Sequence, residues 1–224
     1  MRYHLELVRS LVEPDTKVDQ LTIAEEIPLH TGKVIGIFLL SLAVSLVQAY
    51  YGLHTSGISH ALTTYTTSQF ELAKLMIGLG GALDALLSPL TYLLFTSAWF
   101  WVFLDETHYR QAFVVSVISM FILTVGNVAL LPFELWLGVQ AATSPFALGV
   151  IAHLFTTNEY YIHFFGQISI FLLWAIFYQI YAFSRIAFTK KWFLILITVL
   201  VHLIMMLTSV FLIFLSNFLS ADLM

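Results

Sequence analysis

Residues 111–135, QAFVVSVISMFILTVGNVALLPFEL, run for 25 positions with one acid, Glu134, and no base. A helix of that length spans about 38 Å, more than the roughly 30 Å hydrocarbon core of a bilayer. Four further apolar runs lie near 33–52, 82–104, 160–184 and 192–216. The five together predict an all-α, polytopic membrane protein, a bundle of five transmembrane helices. The bases around them set a direction. With the N-terminus inside, Arg2, Arg9, Lys17, Lys33, Arg110, Arg185, Lys190 and Lys191 fall on one side and Lys74 alone on the other. Short loops rich in Lys and Arg stay cytoplasmic, which predicts an N-in, C-out arrangement.

Composition points the same way, because 60% of the residues are hydrophobic and 10% charged, where a soluble domain carries about 25% charged residues. The first 32 residues contain no apolar stretch of 7 to 15, so no cleavable signal is expected and the first span acts as the anchor. Cys is absent, which excludes disulfides, thiolate metal sites and a Cys nucleophile. The net charge of −4 comes without a basic block, so nucleic acid is not an expected partner.

The chain divides into a cytoplasmic amphipathic head, 1–32, and a membrane domain, 33–224. In the head, Leu5, Val8, Leu11 and Val12 recur at helical spacing and predict a short interfacial helix ending at Pro14. Thr22 followed by Glu25 fits a capping box opening a second helix before Pro28. The head then either lies on the lipid headgroups or binds a partner. Beyond the first span, 53–70 is uncharged and rich in Thr, Ser, Gly and His. His54 and His60 lie six apart, a spacing that does not stack two ligands on one helix face, and are read as surface residues. PFALGVIAHLF, within 136–159, is too short to cross and is expected in the outer interface. Tyr50, Tyr51, Trp136, Tyr160 and Tyr161 are expected in the outer aromatic belt. Trp99, Trp101, Tyr178, Tyr181 and Trp192 are expected in the inner one.

Polar residues inside apolar runs are where function is sought. Asp84, in GLGGALDALLSPL, would cost about 2.5 to 3.5 kcal/mol at mid-bilayer as a bare carboxylate, so it must be shallow, protonated or paired. Glu134, His163, Gln48, Asn127 and Gln167 share its leaflet in the same topology. These six form either an outward-facing polar vestibule with a carboxylate–imidazole pair, or interhelical hydrogen bonds that hold the bundle. His202, near the midplane, has no carboxylate at its depth and is expected to bond a neighbouring helix. Gly80 and Gly81 allow a close backbone approach, and Pro89 removes a donor, which predicts a helix kink or break near 85–89.

Enzyme templates are missing: no HExxH, no GxSxG and no Gly-rich phosphate loop occurs, so no catalytic, cofactor-binding or metal residue is assigned. No span carries a polar face from end to end, as a pore requires. The five spans cannot divide into the matched halves of many transporters.

From 79 to 135 the order of features is more specific: LGGALDALLSPLTYLLFTSAWFWVFL, a brief hydrophilic turn, then YRQAFVVSVISMFILTVGNVALLP. This resembles the bacterial branch of the Yip family, named for Ypt-interacting proteins, in which a Gly-rich helix start with a Gly-Pro or similar step precedes a QAF-type span. LVEPDTKVDQL in the head and YYIHFFGQISIFLLWAIFYQIYAFSRI in the fourth span extend the likeness over about three quarters of the chain. Ser88 stands where the family often has Gly, Val18 replaces an aromatic, and the Asp-Leu-x-Gly-Pro signature of eukaryotic members is absent. The resemblance implies a member in the bacterial plasma membrane with five spans, N inside and C outside, from a group without established enzymatic chemistry. The YknW type of bacterial member accompanies a macrolide-exporter-like ABC transporter in toxin or antimicrobial-peptide resistance. The expected function is therefore a non-enzymatic scaffold or accessory subunit binding other membrane proteins, plausibly an ABC exporter. The alternative is a small-solute or proton-coupled transporter using the outer-leaflet polar residues. The lipid bilayer is the other expected partner, and a homo-oligomer is left open.

Overall fold

A computed structural model describes residues 2–53, 66–139 and 141–222. His54 and His60 lie outside the described residues. Among those described, nine α-helices follow one another: α1 (Leu7–Val12), α2 (Pro14–Thr22), α3 (Thr31–Tyr50), α4 (Thr67–Phe103), α5 (Tyr109–Leu137), α6 (Gly149–Phe155), α7 (Glu159–Gly166), α8 (Ile170–Ile186) and α9 (Lys191–Asp222). No strand occurs among the described residues beyond the isolated bridges Arg2/Glu26 and Ala147/Ser169. The all-helical class is as expected.

Four helices, α3, α4, α5 and α9, are long and apolar enough to cross a membrane. The expected spans at 33–52, 111–135 and 192–216 coincide with α3, α5 and α9 to within a few residues, because each is an uninterrupted run of helix-compatible apolar residues. α5 is the central helix, packed against α3, α4 and α8, and it buries Val114, Val115, Val117, Ile118 and Ile122. Gly126 opens room on it for a ring. A Cβ there would lie 2.7 Å from Cγ of Phe171, far inside van der Waals contact.

Two expected elements differ. The second span, placed at 82–104, belongs to a helix of 37 residues that starts at Thr67 and runs unbroken through Gly80, Gly81 and Pro89. Pro89 removes one backbone hydrogen bond, and the neighbouring turns carry the helix across the gap, so the expected break does not interrupt it. The start is set by a capping box, in which the Thr66 backbone N–H donates to Oε1 of Gln69 at 3.0 Å. Gly78 faces Ala49 and Gly81 faces Ser45 across the antiparallel α3/α4 pair. By that register, about ten residues of α4 extend past the end of α3, roughly 15 Å.

The fourth span, placed at 160–184, is two helices, α7 and α8, separated at 167–169. The Ser169 side chain caps α8 by accepting from Leu172 N–H at 3.1 Å. The freed backbone is stitched to the preceding loop: Leu148 N–H donates to Ile168 O at 3.0 Å and Ile170 N–H to Phe146 O at 2.9 Å. Gly149 and Gly166 both press on the backbone of Ala142, where a side chain on either would clash. α6, α7 and residues 141–143 thereby pack into a cap at the end of the bundle remote from the head. α8 alone has 17 residues, about 26 Å, short of a full crossing.

The head is not laid out as expected. Its second helix opens at Pro14, the favoured first helical position, and ends at Thr22, where a helix was expected to open. Tyr3, Leu5, Val18, Leu21 and Ile27 are buried in the same core as the long helices, with α1 packed on α5 and α2 on α8. Val8 and Val12, expected on the same apolar face as Leu5, remain exposed.

Bonds to the bundle fix this position. Arg185 bridges to Asp15 at 2.6 Å and Asp19 at 2.8 Å, Arg110 Nη1 donates to Ile27 O at 3.3 Å, and Gln111 Nε2 to Leu21 O at 3.4 Å. Lys33 Nζ donates to Leu5 O. Three bases expected on the N-terminal side, Lys33, Arg110 and Arg185, thus all contact the head.

Candidate functional site

Three helices carry polar side chains at helical spacing on the faces they turn to one another. α3 presents Ser41, Ser45 and Gln48, α4 presents Asp84 and Ser88, and α5 presents Thr124, Asn127 and Glu134. Residues three, four and seven apart share a helix face, so each helix contributes a short polar stripe. The stripes converge on a cavity of about 440 Å³. Counted from the head, Ser41 sits about 15 Å up α3 and Asp84 about 28 Å up α4. The cavity therefore reaches from the remote end of the bundle towards its middle.

Both carboxylates are held in place. Gln48 Nε2 donates to Oε2 of Glu134 at 2.6 Å, and Glu134 is only 3% exposed. Ser88 Oγ donates to Oδ1 of Asp84 at 2.6 Å, one turn along the same helix. Among the described residues, no Lys, Arg or His lines the cavity. Ser41 is buried, lines the same space, and its hydroxyl has no hydrogen-bond partner. Apolar side chains such as Val44, Leu123 and Leu130 complete the wall.

At the deep end, Tyr92 links the cavity to a buried polar group. His202 Nδ1 lies 2.8 Å from Thr198 O, which makes Nδ1 the donor and Nε2 the acceptor of a neutral ring. The Tyr92 hydroxyl, 3.4 Å from Nε2, therefore donates to His202 and accepts from Gln179 Nε2 at 3.0 Å. His202 does bond a neighbouring helix, as its depth suggested. Oε1 of Gln179 and Oγ of Ser116 are buried without partners.

Of the six polar residues assigned to one leaflet, Gln48, Asp84, Asn127 and Glu134 meet at the cavity and His163 and Gln167 do not. Gln167 sits at the α7/α8 break, where its amide donates to Met206 O and His163 O, each at 3.4 Å. The separation of α7 from α8 carries both residues into the cap, so no carboxylate–imidazole pair forms with His163. Gly81 and Pro89 line the cavity from α4, and Gly80 does not. Ser41, Ser45, Thr124 and Tyr92 are not among the residues the sequence singles out, and Ser88 is there only as a departure from the Yip pattern. The i, i+4, i+7 pattern of Ser41, Ser45 and Gln48 is the signal that finds them.

The aromatic residues divide by position. Tyr50, Tyr51, Trp136 and Tyr161 are exposed at the remote end, and Trp101 and Trp192 at the head end, as interfacial residues should be. Tyr178 is buried, and the half-buried Trp99 donates from Nε1 to Ile197 O at 3.1 Å, so these two serve packing. Among the described residues, no group of three or more His, Asp or Glu is arranged to hold a metal ion. Compared with known family models, curated proteins and solved structures, the chain matches none.

Proposed function

We propose that the chain is a non-enzymatic membrane scaffold of the Yip type, an accessory subunit that binds other membrane proteins, foremost an ABC-type exporter involved in toxin or antimicrobial-peptide resistance. The observation that carries this reading is the head. A helix that merely floats on headgroups turns its apolar side chains to lipid. This head instead buries Tyr3, Leu5, Val18 and Leu21 against the bundle and holds Val8, Val12 and Ile23 outward on a fixed frame. The order of features over 79–135 supports the family and with it a bacterial plasma membrane, and the bases beside the head support a cytoplasmic N-terminus. Five crossings follow if α7 and α8 together make the fourth.

Photo-crosslinking side chains placed at Val8 and Ile23 in the native membrane test it. A discrete adduct with a second membrane protein is expected. Purification of the chain alone under several mild detergents, with no adduct from either position, removes the proposal.

The cavity favours one other reading, a small-solute transporter that uses Asp84 and Glu134 without His163. Replacing Asp84 by Asn and Glu134 by Gln then abolishes uptake or efflux with expression retained, and normal transport in that variant disposes of it.

A further inference from the structure

We infer that the cavity between α3, α4 and α5 is a binding site for a small organic cation, an amine carried as its ammonium form. The inference stands apart from the accessory-subunit reading; it gives the transport reading its substrate class.

Charge is the first argument. Among the described residues, Asp84 and Glu134 both line the space and no basic side chain does. Each carboxylate is oriented by a neighbour, Ser88 on Asp84 and Gln48 on Glu134, and neither neighbour carries the positive charge that would balance it. In a low-dielectric setting, a cation entering between them gains more than it would in water.

The second argument is independent of the acids. Ser41 is 8% exposed, faces the cavity and has a hydroxyl with no partner. Buried polar groups are normally satisfied, and an unpartnered one in the wall of a cavity marks a place where a bound group can complete the bonding. A hydroxyl oxygen accepts from an ammonium N–H as readily as a carboxylate does.

Size and lining set the class. A cavity of 440 Å³ exceeds what a bare metal ion occupies and falls within the range of small-molecule sites, about 300 to 1,000 Å³. Val44, Leu123 and Leu130 supply apolar contact for a short hydrocarbon. An amine with a few carbons matches both halves of the wall; a hydrated inorganic ion matches one.

The test measures binding to the full chain in lipid nanodiscs, with n-butylammonium, 1-butanol, butyrate and sodium as probes. Butylammonium is expected to bind saturably, with butanol and butyrate failing at equal concentration and sodium not competing. Asp84→Asn should weaken butylammonium by at least about tenfold and Ser41→Ala by about threefold. Glu134→Gln should also weaken it at least about tenfold, and Asp84→Asn, at an exposed position, keeps the test decisive should the buried Glu134 variant not fold. Equal binding of butanol, displacement by sodium, absence of butylammonium binding, or unchanged affinity in Asp84→Asn overturns the inference. Each of those results leaves the crosslinking test of the accessory role untouched.

Discussion

At the level of single residues, the polar positions nearest the span ends are the ones sequence places well. Gln48, Asp84, Asn127 and Glu134 meet because counting turns from the end of an unbroken helix is enough to assign their depth. His163 escapes that count because α7 ends at Gly166 and its depth no longer follows from α8. The serines escape it because a hydroxyl inside an apolar helix ordinarily bonds the carbonyl one turn back, as Ser119 and Thr124 do, and only the structure shows that Ser41 has no partner. Two substitutions test the packing. Gly126→Ala forces the Phe171 ring aside and is expected to destabilise the bundle by about 1 to 3 kcal/mol in reversible unfolding from mixed micelles. Tyr92→Phe strips one bond each from Gln179 and His202 and should cost about 1 to 2 kcal/mol in the same assay; no change would mean that the two bonds contribute nothing.

Elements were legible where hydrophobicity and helix formation coincide, and not where they part. Glu71 and Lys74 take the start of α4 out of any apolar window, yet nothing in ELAKLM opposes a helix, so it runs back to its cap at Thr66. The reverse holds at 160–184, which reads as one apolar run while α7 ends at Gly166 and Ser169 supplies the cap of a new helix. Ser169→Ala should cost about 1 kcal/mol and raise amide exchange over the first turn of α8, with no effect on α5.

The head is an element with its own pH dependence. Leu5 N–H donates to Nε2 of His30 at 3.2 Å, which requires a neutral ring. Burial, with Lys33, His4 and Arg2 nearby, lowers the His30 pKa below its ordinary 6.5. The unfolded state therefore binds the proton first as pH falls, and docking contributed by His30 is present above about 6.5 and lost below it. Glu6 acts in the same direction at lower pH, because its hydrogen bond to the buried Lys17 holds its pKa below 4.5. Exchange protection over 2–30, corrected for intrinsic rates, should fall between pH 7 and pH 5 in the wild type and change less in His30→Gln. Equal protection at both values would contradict this pH dependence.

Across the whole molecule, the two ends differ in kind. One carries the docked head and the bases Lys33, Arg110 and Arg185 that contact it; the other carries the cap, the extension of α4 and the mouth of an acidic cavity. The accessory role needs the first end in the cytoplasm, where a head held on a fixed frame meets partner subunits. The cation site needs the second end towards the outside. Because the chain has no Cys, a single introduced thiol reports position without background. Ser68→Cys, at the start of α4, and Lys191→Cys, at the start of α9, should be separated by the membrane. A membrane-impermeant maleimide applied to intact cells is predicted to label Ser68→Cys at once and Lys191→Cys only after permeabilisation. Labelling in the opposite order, or of both positions in intact cells, would contradict the account.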